Sequence, residues 1–495
     1  MSVPLRMRMM VSALLSFAFV STVDVAAVAS SEETCQGRRA TITGSPGQPV
    51  LGTEGPDVIV SNGARGVDAF GGNDIICVTG SERWVRVRAG TGDDLVDTTG
   101  MGGLRVFTDL HRGADVFVGG PARDLVRDGT FGSDSEVDNI ATGAGNDRLI
   151  SGFVGAINPD ELSGGPGDDE FHVRGILQAP GALQPGGPHN RLYASISGDT
   201  VIDLPARAVT IDGRSVLTWH AGRIHHITTV PGHLVESGGT LTFTGTRGAD
   251  VLSLAGSSFV ANPRVVARLR GGDDTLEARS DGFAADSTFT AGRGHDSLLV
   301  NLRESGGKHP STGDDDVAID LAAHTLHARG AVVTNAVIRG FDGVQAGGSL
   351  SLVVRGDQGA NAVLAVGCRV QVDGRGGDDV LRTVSPVPCQ AGRRYLGGGP
   401  GDDLVIGGEL ADVLVGGPGQ DIANGRGGDD RCSAETARTC EHQFGQVTQP
   451  WHAARLSGLN KNASTDITTS AHHPQAGTFE GPARRSATTP RRSAS

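Results

Sequence analysis

The chain has 495 residues, of which 76 are glycine; aromatic residues make up only 4% and the formal net charge is −13. So few aromatic residues argue against an ordinary globular enzyme core and favour ladders of Val, Leu and Ile. The acidic excess favours metal cations over nucleic acid as partners, because an acidic surface repels a phosphate backbone.

The first 29 residues have the pattern of a secretory signal peptide. Arg6 and Arg8 precede the apolar stretch Met9–Val20, and Ala27–Ala29 forms an A-x-A cleavage site. The apolar stretch is too short for a membrane anchor. We therefore predict that residues 1–29 are removed near Ala29 and that the mature protein is secreted, without a transmembrane segment.

From residue 50 to 175, glycine- and aspartate-rich turns alternate with short apolar runs. Examples are Gly52–Val60 (GTEGPDVIV), Ala89–Asp97 (AGTGDDLVD) and Gly164–His172 (GGPGDDEFH). The sixth-position aspartates are mostly separated by about one coil of a solenoid; they are Asp57, Asp74, Asp94, Asp115, Asp124, Asp147 and Asp169. We predict an irregular parallel β-solenoid over residues 30–174, with strands that include Val85–Val87, Leu104–Phe107 and Val116–Val118.

The middle of the chain contains an internal duplication. A Pro/Gly-rich segment, residues 175–198, predicts a long loop. The related spacers Asp199–Val209 (DTVIDLPARAV) and Asp316–Leu326 (DVAIDLAAHTL) then open two spacer-plus-repeat units, residues 199–315 and 316–397. Because the spacers alternate apolar and polar residues, we expect them to be strands that continue the solenoid. The repeats after them place aspartates at Asp250, Asp274, Asp296 and Asp379, with Asn361 in an equivalent position.

Four nine-residue units follow one another over residues 398–433. They are Gly398–Ile406, Gly407–Val415, Gly416–Asn424 and Gly425–Ser433, each with glycine first and aspartate sixth. Glycines permit positive φ and close backbone approach, so carbonyl oxygens can converge on one centre. An aspartate adds a hard anionic oxygen, and mixed carbonyl and carboxylate ligands suit calcium.

These units resemble the RTX (repeats-in-toxin) nonapeptide GGxGxDxUx, in which U is a large apolar residue. The resemblance implies an all-β fold, a right-handed parallel β-roll or β-solenoid with Gly-Asp calcium-binding turns. It also implies two nonads per coil, so that Asp403 meets Asp421 and Asp412 meets Asp430 in separate columns that repel without a cation. The candidate calcium ligands are Asp403, Asp412, Asp421, Asp430, Asp379, Asp169, Asp147 and Asp94. For Asp74, Asp115 and Asp124 a purely structural turn is favoured.

Six cysteines in an exported chain predict three disulfides. The pairing that closes the shortest loops is Cys35–Cys77, Cys368–Cys389 and Cys432–Cys440, although other connectivities are open. The last bridge would hold residues 434–444 as a cap over the end of the roll. Beyond it, the Ala-, Ser-, Thr-, Pro- and Arg-rich residues 445–495 predict a disordered tail.

Together these features predict an exported calcium-binding β-solenoid with a structural or adhesive role. Its expected partners are calcium ions and cell-wall or other extracellular polymers. Neither HExxH nor GxSxG occurs in the sequence. The alternative is a polysaccharide lyase or epimerase on a parallel β-helix, because acids accompany Arg83, Arg86 and Arg88 around Trp84. For the pair His225-His226, a surface or strand-edge position is favoured over a metal site.

Overall fold

The computed structural model describes residues 33–444, apart from 81–83, 103–104, 129–135, 153–156, 175, 178–181, 197, 232–238, 256–261, 280–281, 302–315, 330–332, 386–388, 390–391 and 393. The predicted signal peptide and tail therefore lie outside the described residues. All the helices and strands assigned to the described residues are β-strands, with no helix among them. None of the described segments is a helix that is long and apolar enough to cross a membrane.

Most strands are short, and those of the first part of the chain cover residues 34–173. They are β1 (Thr34–Cys35), β2 (Arg38–Arg39), β3 (Ile42–Thr43), β4 (Pro49–Leu51), β5 (Val58–Val60), β6 (Gly66–Asp68), β7 (Ile75–Cys77), β8 (Trp84–Thr91), β9 (Leu95–Asp97), β10 (Arg105–Arg112), β11 (Val116–Val118), β12 (Arg123–Arg127), β13 (Asn139–Ala141), β14 (Arg148–Ser151), β15 (Ile157–Asn158), β16 (Glu161–Ser163) and β17 (Glu170–Val173).

The central strands cover residues 176–301. They are β18 (Ile176–Leu177), β19 (Leu183–Gln184), β20 (Asn190–Ile196), β21 (Thr200–Asp203), β22 (Ala208–Ile211), β23 (Arg214–Thr218), β24 (Ile224–Pro231), β25 (Thr240–Thr244), β26 (Val251–Leu254), β27 (Arg264–Gly271), β28 (Thr275–Arg279), β29 (Ser287–Arg293) and β30 (Ser297–Asn301).

The last strands begin at the second spacer and include two long ones, β34 and β35. They are β31 (Asp316–Asp320), β32 (Thr325–Arg329), β33 (Val333–Arg339), β34 (Gly343–Arg355), β35 (Ala362–Asp373), β36 (Val380–Val384), β37 (Arg394–Gly397), β38 (Leu404–Ile406), β39 (Asp412–Val415), β40 (Ile422–Asn424), β41 (Arg431–Ser433), β42 (Thr436–Arg438) and β43 (His442–Gln443).

These strands build a parallel β-solenoid of about 14 turns, so the predicted all-β, parallel β-solenoid fold is confirmed. Strands equivalent in successive coils pair in parallel: β5 pairs with β7, β7 with β9, and β9 with β11. On another face of the coil, β12 pairs with β14, β14 with β17, and β17 with β20. Each strand is therefore held mainly by the coils on either side of it, as in other repeat proteins.

The core is a ladder of aliphatic and Phe side chains, one per strand in each stack. Because the strands are in register, the central inward residue of one coil lies on that of the next. One ladder consists of Ile59, Ile76, Val96, Phe117, Ile140, Leu162 and Leu183, all buried. Another begins with Val126, Leu149, Phe171, Leu192, Ile227, Leu252, Leu276 and Leu298. This narrow interior explains why the chain needs few aromatic residues.

The prediction of a loop over residues 175–198 is wrong for the parts of this segment that form strands. Asn190–Ile196 is a strand that pairs in parallel with β17 and with β24, and Leu183–Gln184 pairs with β16. The described proline and glycine residues between these two strands, residues 185–188, form a corner of a further coil. The solenoid therefore continues through this segment.

The two spacers interrupt the parallel order, which corrects the expectation that they simply continue it. The first strand of each spacer does pair in parallel, β21 with β25 and β31 with β34. The chain then turns back, because β22 is antiparallel to β21 and β32 is antiparallel to β31. Both copies make the same excursion, which agrees with an internal duplication.

All three predicted disulfides are present. Cys35–Cys77 joins the antiparallel hairpin β1–β2 to β7, Cys368–Cys389 joins β35 to the segment after β36, and Cys432–Cys440 lies at the end of the roll. Residues 434–444 stack on the roll as a final coil, since β42 pairs with β40 and β43 with β41.

Truncation of a ladder residue is expected to be costly. Leu276 is fully buried between Leu252 and Leu298, so Leu276→Ala should lower the free energy of unfolding by about 2–5 kcal/mol. Val201, which is 37% exposed, supplies the control Val201→Ala, which should have a much smaller effect. Denaturant unfolding followed by circular dichroism measures both; equal losses would contradict the ladder as the stabilising core.

Candidate metal-binding columns

The aspartates at the coil corners form hydrogen-bonded columns. In each case Oδ1 of one aspartate accepts the backbone N–H of the equivalent residue in the preceding coil. Thus the N–H of Asp403 donates to Asp421 over 2.9 Å, and the N–H of Asp412 donates to Asp430 over 2.8 Å. The residues that the nonad spacing places together are therefore in contact. Stacked corners arise because each aspartate directly precedes, or begins, a strand that is in register with its neighbours.

Five columns occur in the described part of the chain. The first column contains Asp57, Asp74, Asp94, Asp115, Asp138 and Asp160. The second column contains Asp124, Asp147, Asp169 and Asn190. The central column contains Asp250, Asp274, Asp296 and Asp342. Roll column A contains Asn361, Asp379, Asp403, Asp421 and Glu435. Roll column B contains Asp412, Asp430 and Glu441.

The candidate ligands from the sequence are thus divided among four of these columns. Asp94 is in the first column, Asp147 and Asp169 are neighbours in the second, and Asp379 joins Asp403 and Asp421 in roll column A. The structure gives Asp74, Asp115 and Asp124 the same ladder contact as these candidates. Corners with the complete GxGxD motif and corners without it therefore make the same hydrogen bond between backbone N–H and aspartate.

Roll column A contains buried carboxylate oxygens that are not hydrogen-bonded in the described structure. Asp403 and Asp421 are 0% and 1% exposed, and their Oδ2 atoms have no hydrogen-bond partner among the described residues. A buried carboxylate oxygen in this condition is unfavourable, because it has lost its contact with water. The same holds for the Oδ2 atoms of Asp94, Asp147, Asp169 and Asp430 in the described structure.

The first glycine of the nonad is required by the position of this oxygen. A Cβ atom added at Gly398 would lie 2.4 Å from Oδ2 of Asp403, and one added at Gly416 would lie 2.5 Å from Oδ2 of Asp421. Such a distance is a steric clash, so a residue with a side chain would displace either the carboxylate or the turn. The first glycine of each nonad thus leaves space for the aspartate side chain of the same nonad to fold back against the turn.

Stacking and burial make these carboxyl groups hard to ionise. Burial, followed by the charges of Asp379 and Asp421, raises the pKa of Asp403 to about 9. Burial and the nearby Glu435 raise the pKa of Asp421 to about 7, although the hydrogen bond from Asp403 opposes the shift. Burial likewise raises the pKa of Asp94 and of Asp169 to about 7. Near neutral pH the columns therefore favour a counter-charge, either a proton or a cation.

The donor set of roll column A is chemically suited to a hard divalent cation. Asp403 and Asp421 offer anionic oxygens that no described protein group satisfies, and the adjoining turns are rich in backbone carbonyls. Calcium accepts about six to eight such oxygens in flexible geometry. These residues would hold the ion, whose charge would offset the mutual repulsion of the stacked carboxylates.

Roll column B is different, because an arginine belongs to it. Arg394 begins β37 and pairs in register with Asp412, one coil before it. Its side chain is buried, with Nε 3.6 Å from Oδ1 of Asp412 and Nη2 donating to Oγ of Ser385 over 2.8 Å. The second oxygen of Asp412 accepts the N–H of Gly408 over 2.6 Å. The sequence predicts that calcium neutralises Asp412. In the structure, Arg394 places a positive charge beside this residue.

Burial still raises the pKa of Asp412 to about 6, but the hydrogen bond from Gly408 and the charge of Arg394 oppose it. The nonad pattern does not predict Arg394, because this residue precedes the nonads. Its distance of 18 residues from Asp412, one coil of the roll, could have revealed it.

An arginine also satisfies the start of the central column. Nη2 of Arg223 lies 2.8 Å from Oδ1 of Asp250, and the hydroxyl of Thr246 donates to Oδ2 over 2.8 Å. Both oxygens of Asp250 are therefore engaged. The columns thus differ in whether protein groups form hydrogen bonds or ion pairs with both oxygens of an aspartate. In roll column A, Oδ2 of Asp403 and Oδ2 of Asp421 have no such partner in the described structure.

The histidine pair is occupied by hydrogen bonds. His226 is buried rather than on the surface, and its Nδ1 accepts the N–H of Arg191 Nε over 3.2 Å. Burial lowers the pKa of His226 to about 3, so the neutral ring carries its proton on Nε2 and donates it to Ser253 Oγ over 2.8 Å. Ser253 in turn donates to Glu277 over 2.6 Å. With the bonds in this direction, His226 is not placed to remove a proton from Ser253.

Comparison of the sequence with protein-family models gives no match, and comparison with curated proteins also gives none.

The raised pKa of Asp403 predicts a pH dependence of stability in the presence of a chelator. The folded-state pKa of about 9 lies above the unfolded value of about 3.9, so the folded protein binds a proton that the unfolded chain releases. This contribution is complete below the unfolded pKa and is lost as the pH rises through about 9. The melting temperature should therefore fall from pH 5 to pH 9, and Asp403→Asn should reduce that fall.

The control for this experiment is Asp429→Asn, since the Asp429 side chain is 75% exposed and should leave the pH dependence nearly unchanged. A fall of the same size in Asp403→Asn and in the parent protein would contradict the assignment to Asp403.

The buried guanidinium predicts a large effect of Arg394→Gln. Removing one partner of a buried ion pair typically costs about 3–5 kcal/mol, because the other charge remains buried. Chemical denaturation at pH 8 should show this loss, whereas the exposed Arg438→Gln should show little. Adding Asp412→Asn to Arg394→Gln should restore part of the stability. If the double variant is no more stable than Arg394→Gln, the pairing is not the source of the loss.

Proposed function

We propose that this protein is an exported calcium-binding β-solenoid with a structural or adhesive role outside the cell. The observation that carries the proposal is roll column A, where Asp403 and Asp421 are stacked and buried and each has an Oδ2 atom without a hydrogen-bond partner in the described structure. The resemblance of residues 398–433 to the RTX nonapeptide supports the same ion. Asp379 completes the set of candidate aspartates in this column.

Calcium binding of this kind would be coupled to folding. Since the carboxylates of one column come from successive coils, the ion site exists only when those coils are stacked. In the absence of calcium, repulsion between Asp379, Asp403 and Asp421 opposes that stacking. The roll would therefore be stabilised where calcium is plentiful, as it is outside the cell.

The scaffold is consistent with a role that requires a durable, extended surface. The three disulfides lie near the first coils, in the second repeat unit and at the last coil. Disulfides persist in oxidising compartments, which supports export. Stacked coils present repeated rows of side chains on their outer faces, and such rows suit contact with a repetitive polymer. Cell-wall or other extracellular polymers are therefore the partners that we propose.

The polysaccharide lyase or epimerase remains the second hypothesis. Arginines and acids do meet on the outer face, where Arg86 lies 2.9 Å from Asp109 and Arg88 lies 2.8 Å from Asp68. These groups pair with one another, which is the arrangement of a structural surface. We therefore favour the binding role over the enzymatic one.

Calcium titration of the chain without its signal peptide tests the proposal. Calcium should raise the melting temperature and β-content, and chelator should reverse both; at 100 times the dissociation constant the stabilisation from one site is about 2.7 kcal/mol. The double variant Asp403→Asn with Asp421→Asn should bind less calcium in equilibrium dialysis. Asparagine retains the oxygen that accepts the ladder hydrogen bond, as Asn190 does for Asp169 over 2.8 Å.

Asp412→Asn with Asp430→Asn is the matched control in roll column B. Because Arg394 already faces Asp412, this variant should lose less calcium than the roll column A variant. An equal loss in both would show that Arg394 does not replace the ion. Identical circular dichroism spectra and melting temperatures with calcium and with chelator would refute the calcium-binding function.

A further inference from the structure

Three carboxylates converge at a corner outside the glycine-rich nonads. Asp128 directly follows β12, Asp138 directly precedes β13, and Asp160 directly precedes β16. One oxygen of each lies within 4.8 Å of the others, and the three residues are at most 2% exposed. The chain therefore gathers three acids from two consecutive coils in its interior. We call this group the aspartate triad.

The backbone holds two members of the aspartate triad in place. Asp138 Oδ1 accepts the N–H of Asp115 over 2.7 Å, and Asp160 Oδ1 accepts the N–H of Asp138 over 3.1 Å. Ser151 Oγ donates to Asp160 Oδ2 over 2.5 Å, and Asn158 Nδ2 donates to Ser151 Oγ over 2.8 Å. Such supporting contacts orient ligands before an ion arrives.

One oxygen of the aspartate triad is left over. Asp138 Oδ2 has no hydrogen-bond partner in the described structure, although the residue is only 1% exposed. Its nearest charged neighbours in the aspartate triad, Asp128 and Asp160, are acids, and one oxygen of each lies within 4.8 Å of an oxygen of Asp138. The arrangement is therefore unfavourable unless a proton or a cation lies between the carboxylates.

We propose that the aspartate triad is a divalent-cation site of a second kind, separate from the nonad corners. Its donors are hard carboxylate oxygens, which select calcium, magnesium or manganese over zinc and copper. Calcium accepts irregular oxygen geometry, whereas magnesium requires a near-ideal octahedron and usually keeps several waters. A buried corner that offers three carboxylates from the ends of different strands therefore favours calcium.

The site differs from the nonad columns in how it collects its ligands. In the columns, equivalent aspartates stack along the solenoid, one per coil. In the aspartate triad, Asp128 comes from the end of a strand on one face and meets two members of the first column. The inference does not depend on calcium binding by the roll, and either can fail without the other.

The test measures bound calcium by equilibrium dialysis of the chain that begins after the signal peptide. The background carries Asp403→Asn and Asp421→Asn, so that roll column A is already disabled. Adding Asp138→Asn and Asp160→Asn should remove one bound calcium per chain and abolish the corresponding part of the calcium-induced rise in melting temperature. Asparagine preserves the oxygens that accept the ladder hydrogen bonds.

The control Asp115→Asn keeps the backbone N–H that donates to Asp138 and changes only a carboxyl group outside the aspartate triad, so it should leave the bound calcium unchanged. If the variant with Asp138→Asn and Asp160→Asn loses the β-sheet circular dichroism spectrum, the calcium count of Asp128→Asn alone tests the site. This variant leaves Asp138 and Asp160, which accept the ladder hydrogen bonds, unchanged. An unchanged calcium count in the folded variant overturns the proposal and leaves a shared proton as the counter-charge. A loss in the triad variants with no effect of the roll variants would refute the roll site and support this one.

Discussion

The hydrogen bond from a backbone N–H to the aspartate of the next coil is the interaction on which this solenoid depends. Many of its strands are only three residues long, so sheet hydrogen bonds alone give each coil few contacts with its neighbours. A carboxylate acceptor makes a stronger bond than a neutral one. Each corner therefore ties two coils together. The same arrangement requires a row of buried acids along the molecule, and their charge must be balanced.

The molecule balances that charge in more than one way. In roll column B, Arg394 lies beside Asp412, and Gly408 donates to its second oxygen. In the central column, Arg223 and Thr246 satisfy Asp250. Roll column A and the aspartate triad retain unpaired buried oxygens in the described structure. At these places the cations that we propose would supply the missing counter-charge.

A stacked architecture also explains how the fold tolerates its irregularities. The core is a ladder of single residues, such as Leu252, Leu276 and Leu298, and coil length varies without breaking it. The antiparallel strands β22 and β32 leave the parallel stack, which resumes at β24–β26 and β34–β35. Since each coil contacts chiefly its neighbours, an insertion disturbs the structure only locally.

The sequence by itself determined the fold class and the stacking of Asp403 on Asp421, whereas for the disulfides it only favoured the pairing that closes the shortest loops. Regular spacing is sufficient for the fold and the stacking, because parallel strands in register place residues one coil apart in contact. Only the tertiary structure decided which side chains outside the repeated aspartate positions come into contact, because the coils differ in length. It brought Arg394 to Asp412 and Asp128 to Asp138, and it made residues 190–196 a strand within a segment rich in proline and glycine. Such contacts depend on the path of each corner through space, and no repeat period records that path.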